Sequence, residues 1–195
     1  MPLVIETGTG RNPAANSYAS REFAAAFHAD GVDAEAWAFV DPPDQDRALV
    51  TATRRLDGAM LWRGRPALPD QPLGWPRVGV AAPGLLVFSS AAVPAAVRQA
   101  TAALALKVAR DQAAALDAEA AGAATTSADT EQQVQEITLG PIGIKMAAAS
   151  AETVAAQAAV AAKASRAVPQ EVVAMLRHWG DYLGAGAALG RTSRG

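Results

Sequence analysis

The chain has 195 residues, a formal net charge of −2 and no cysteine, which excludes disulfides, thiol catalysis and thiolate metal sites. Apolar residues make up 51%, but 50 residues are alanine, which favours helix and adds little buried area, so a mainly α fold on a modest core is expected. His28 and His178 are too few for a three-histidine metal site, and no apolar run approaches the ~20 residues that span a bilayer.

The opening residues carry no basic, apolar leader, so no signal peptide is expected and synthesis in the cytoplasm follows. Leu3-Val4-Ile5 reads as a short strand entering the turn Gly8-Thr9-Gly10. Side-chain oxygens in Asn16 to Ser20 can cap a helix over Arg21 to Ala29, with Phe23 and Phe27 on one face and Asp30-Gly31 closing it through a left-handed glycine. Trp37 and Phe39 follow, then Asp41-Pro42-Pro43 as a loop. A second helix is predicted over Asp44 to Leu56, striped by Leu49, Ala52 and Leu56 and ended by Asp57-Gly58.

From Leu61 to Arg77, prolines at 66, 69, 72 and 76 forbid a helix or a central strand. Val93-Pro94 opens the longest helix, with Val97, Ala100, Leu104 and Val108 at helical spacing through Asp111. Residues 113–130 read as a fraying helix end or a loop. Gln133 to Met146 alternates like two short strands or one bent strand, and residues 147–168 are an Ala-rich helix or linker. A last helix after Pro169 carries Val172, Leu176, Trp179 and Leu183, and a tail over 184–195 holds Arg191 and Arg194. The expected fold is therefore one mainly α domain over 1–195: a small helical bundle, a short β element and long loops.

Candidate chemistry is sparse. Gly8-Thr9-Gly10 lacks the Gly-Lys-Ser/Thr ending of a phosphate loop and reads as a plain turn. His28, near a helix end, reads as solvated, and His178 lies beside Trp179. Ser17, Ser20, Ser89 and Ser90 lack a nucleophile-elbow context. No enzyme activity, cofactor or metal is expected. One region has chemical character: positions 47–77 hold six arginines against Asp57 and Asp70, a local charge of +4 in an otherwise acidic chain. Arginines interleaved with Trp62 and Trp75 suit a single-strand binder, in which indoles stack on bases and guanidiniums follow phosphates. The same residues suit a pinned loop or a subunit contact, with the indoles as core plugs and Arg63, Arg65 and Arg77 on carbonyls or carboxylates.

The series Glu6-Thr7-Gly8-Thr9-Gly10, Ala15-Asn16-Ser17-Tyr18, Arg55-Leu56-Asp57, Trp62-Arg63-Gly64-Arg65, Gln71-Pro72-Leu73-Gly74-Trp75-Pro76-Arg77 and Leu139-Gly140-Pro141-Ile142 is distinctive. It resembles a family of tailed-phage and prophage proteins labelled DnaT-like single-stranded-DNA-binding proteins, which look like head–tail connector components. The resemblance covers most of residues 3–146 and the last helix. It implies a structural virion protein at the neck: a ring of itself, usually of twelve, bound to the portal and to the next neck or tail component. Duplex DNA would be passing cargo only, and no membrane would be involved. On that reading Trp62, Arg63, Arg65, Trp75, Pro76 and Arg77 hold the loop and the subunit contact, while Trp179, Tyr182, Leu183, Arg191 and Arg194 are candidates for portal binding. The alternative is a DnaT-like single-stranded-DNA-binding replication accessory. A strand binder calls for a basic surface, so the net acidic balance favours the adaptor as the first expectation.

Overall fold

The computed structural model describes residues 2–81, 92–128 and 167–183, with 121–128 as backbone alone. The chain divides into two compact units, Met1–Arg110 with Arg166–Gly195, and Asp111–Ser165. The fold is mainly α, with five helices and two small two-stranded sheets among the described residues.

In the first unit the N-terminal segment forms no sheet. Ile5 makes a single parallel bridge with Ser17, and Asn16 fastens the segment by accepting from Val4 N at 2.8 Å and donating to Pro2 O at 2.9 Å. Helix α1 (Arg21–Ala29) starts where Ser20 Oγ accepts from Phe23 N at 3.1 Å. Its end differs from the expected left-handed cap: Gly31 has no positive φ, and the amides of Asp30 and Gly31 both donate to His28 O.

A short helix α2 (Ala34–Ala38) buries Trp37. Helix α3 (Pro42–Ala59) opens on the two prolines expected as loop, because a first-turn residue has no intrahelical N–H bond to lose. It also runs through Asp57-Gly58, burying Ala48, Leu49, Ala52, Thr53 and Leu56. Helix α4 (Ala95–Ala128) buries Val97, Ala100, Thr101, Leu104, Ala105 and Val108 in the same core. The described part of the second unit is the rest of α4, so of the alternatives open for 113–130 the described residues through 128 are helix and not loop.

Helix α5 (Gln170–Leu176) buries Val172 and Leu176 and then stops. Trp179 and Leu183 therefore lie off the helical stripe expected for them. The chain turns into a strand that pairs antiparallel with the exit of α3: β1 (Met60–Trp62) against β4 (Gly180–Tyr182), Met60 opposite Tyr182 and Trp62 opposite Gly180. A second ladder joins β2 (Arg65–Pro66) to β3 (Arg77–Val78). Gln133 to Met146, residues 147–166 and the tail with Arg191 and Arg194 lie outside the described residues. No helix among the described residues is long and apolar enough to cross a membrane.

Candidate functional site

The tryptophan–arginine block is organised by Asp57, near the end of α3. Its Oδ1 accepts from Tyr18 Oη at 2.6 Å and from Trp62 Nε1 at 2.9 Å, and its Oδ2 accepts from Gly74 N at 2.9 Å. Tyr18 Oη in turn accepts from Trp75 N at 3.1 Å, so one carboxylate links α3, the N-terminal segment, β1 and the proline loop. Burial pushes the Asp57 carboxyl above its ordinary range against the pull of those three bonds, and burial beside the Asp57 charge pushes the Tyr18 phenol well up. Only glycine fits at 74, since a Cβ there would lie 2.6 Å from Asp57 Oδ1 and 2.7 Å from Trp62 Nε1.

Trp62, Trp75 and Trp179 close over this hub, with Trp75 fully buried and its ring edge-on to both others at centroid distances of 6.0 and 5.6 Å. Pro76 is buried beyond a cis Trp75–Pro76 bond. Arg77 fastens the loop from outside: Nε donates to Arg63 O at 2.7 Å, Nη2 to Gly64 O at 2.7 Å and Nη1 to Gly74 O at 3.0 Å. Gly64 has φ +71, and a Cβ there would collide with Val78 O. Arg63 reaches across to β4, where Nη2 pairs with Asp181 Oδ1 at 3.1 Å and its backbone N donates to Trp179 O at 2.9 Å. Leu183 N donates to Ala59 O at 2.9 Å, with Tyr182 and Leu183 both half-buried.

This geometry separates the block into two parts. The indoles are enclosed and offer no face to a base, so the stacking role open to Trp62 and Trp75 in sequence is not available. Arg63 and Arg77 are committed to the loop. Arg65 on β2, Arg54 on α3 and Arg11 are exposed and have no ion pair among the described residues. Arg54 lines a cleft of about 340 Å³ with Pro13, Asn16, Pro72 and Leu73, and Arg11 lies two residues ahead of Pro13.

Two further residues depart from the sequence expectation. His28 is buried, not solvated: its ring lies against Phe27 and Trp37 at centroid distances of 5.0 and 5.5 Å, and Nε2 donates to Ala102 O at 3.2 Å. That burial lowers its pKa. In the Gly8-Thr9-Gly10 turn, φ of +97 at Gly8 and +67 at Gly10 aims both amides inward, where they donate to Glu6 Oε1 at 2.8 and 3.0 Å. The turn holds an internal carboxylate where a phosphate loop would hold its ligand. Among the described residues, no group of three His, Cys, Asp or Glu could hold a metal ion. The roles of Tyr18, Asp57 and Glu6 escape sequence reasoning; a glutamate ending an apolar run two residues before alternating glycines is the one local signal.

A family described as "Putative DnaT-like ssDNA binding protein" matches residues 1–195. No curated protein and no solved structure matches the chain. The match corrects the virion expectation, because a description of single-stranded-DNA binding fits DNA recognition better than a head–tail connector, a portal-bound neck ring or a viral assembly role. The chain belongs to the family that carries this description.

Proposed function

We propose that the protein binds single-stranded DNA as a replication accessory. The family match across the whole chain carries this reading. The charge pattern supports it: residues 47–77 hold a local +4 within a chain of net −2, which concentrates attraction for phosphates on one region. Of the arginines there, Arg54 and Arg65 are exposed and have no ion pair among the described residues, and Arg11 adds a third such guanidinium. The tryptophans contribute by holding the proline loop that carries Arg65, and not by stacking.

A strand held by three guanidiniums releases few counterions, so its affinity falls with salt on a logarithmic slope of about −2. Titrating a labelled single-stranded oligonucleotide across a salt series measures that slope. Saturable binding that weakens with salt, and weakens further in the Arg54→Ser/Arg65→Ser double variant, is expected. A protein that leaves the oligonucleotide free at the lowest salt refutes the reading.

A further inference from the structure

Glu6 is 4% exposed, yet only one of its carboxylate oxygens is occupied. Oε1 takes both glycine amides, whereas Oε2 is buried with no hydrogen-bond partner. A buried acceptor left without a partner is costly, and Glu6 is one of the residues that line a cleft of about 330 Å³, together with Thr7, Ser20, Phe23 and Arg98. The Arg98 guanidinium stacks 4.1 Å above the Phe23 ring centroid and has no ion pair among the described residues. Glu6, whose second oxygen lacks a partner, and Arg98 thus line one cleft without bonding each other.

Such a pair is satisfied together by a ligand with a hydrogen-bond donor at one end, an anion at the other and a planar body between. A nucleotide has that form. An exocyclic amino group donates to Glu6 Oε2, the base plane stacks on the guanidinium face turned away from Phe23, and the flanking phosphate accepts from the N–H edge of Arg98. The cleft lies at the small end of ligand pockets, suiting one base. The Watson–Crick edge must be free to reach Glu6, so a base in duplex is excluded. Thymine fits poorly, because the two carbonyls flanking its N3–H would face the carboxylate.

We infer that the Glu6–Arg98 cleft is a nucleotide pocket that takes one unpaired, amino-bearing base of a DNA strand in preference to thymine. This rests on the single-stranded-DNA reading above. The test is fluorescence anisotropy with labelled oligo(dC) and oligo(dT) of equal length, using the full chain and its Glu6→Gln and Arg98→Lys variants. Glu6→Gln keeps the oxygen that accepts the glycine amides, and a melting curve checks that the fold persists.

The full chain should favour oligo(dC) about tenfold, Glu6→Gln should bring the ratio to about one with oligo(dT) affinity retained, and Arg98→Lys should weaken oligo(dC) several-fold by removing the planar face. Equal binding of both strands by the unsubstituted chain, or a preference that survives Glu6→Gln, overturns the pocket and leaves the general function standing. Failure to bind either strand overturns both.

Discussion

Asp57 and Glu6 are both largely enclosed carboxylates set against glycine amides, and they are used in opposite ways. Both oxygens of Asp57 are filled, by a phenol, an indole and a backbone amide drawn from three parts of the chain. Glu6 fills one oxygen from its own turn and leaves the other buried without a partner in a residue that lines a cleft. A polar group saturated by distant partners fixes a structure. One left open at a concavity has capacity for a ligand. The hub and the cleft therefore divide the molecule's work, the first holding the proline loop and the second lying within reach of solvent.

Breaking the hub should cost most at its aromatic centre. Trp75→Ala is expected to lower unfolding free energy by about 3–5 kcal/mol, read from urea denaturation, and a loss below about 1 kcal/mol would show the loop is held elsewhere. Asp57→Asn comes next, at about 1–3 kcal/mol, because either placement of the new NH2 group sets it against a donor, Gly74 N–H on one side or Tyr18 and Trp62 on the other. Glu6→Gln is the matched control. It should cost less than about 1 kcal/mol, since the oxygen that accepts both glycine amides is retained. Equal losses for the two substitutions would erase the contrast.

His28 adds a pH dependence to the same core. Its folded pKa lies below the ordinary value near 6.5, so below that pH the unfolded chain binds more protons than the folded one. Stability should therefore fall as pH drops through about 6.5, seen as a falling urea midpoint, and His28→Gln should flatten that slope. The smallest effect belongs to the fringe. Arg54→Ser with Arg65→Ser should leave the urea midpoint nearly unchanged while making the salt slope of DNA binding shallower by about 1.

Local rules reached the parts of the fold that are local. Ser20 as a cap, with Phe23 and Phe27 four apart, sufficed to place α1 at Arg21–Ala29, and the Leu49, Ala52 and Leu56 stripe marked α3. Structure and local pattern part where partners are remote. Asp57-Gly58 reads as a helix stop, but Asp57 stays helical because Tyr18, 39 residues earlier, and Gly74, 17 residues later, meet its carboxylate there. Val172, Leu176, Trp179 and Leu183 fit a helical period, yet the chain leaves the helix to pair with β1. Gly180 was the available signal: it is expensive inside a helix, and here it allows close approach, since a Cβ would lie 2.9 Å from Leu61 O. The burial of His28 by Trp37 and α4 is invisible from its own helix end. The open oxygen of Glu6 was beyond reach, because it depends on a cleft assembled from three segments.

If single-stranded DNA is bound by exposed guanidiniums while the indoles stay locked in the hub, binding and tryptophan emission must be uncoupled. Titrating the protein with a labelled single strand while recording anisotropy and intrinsic fluorescence together tests this directly. The predicted result is a saturating rise in anisotropy with tryptophan emission unchanged. Quenching that follows the binding curve would put bases against the indoles, and a flat anisotropy trace would remove the DNA altogether; either contradicts the account.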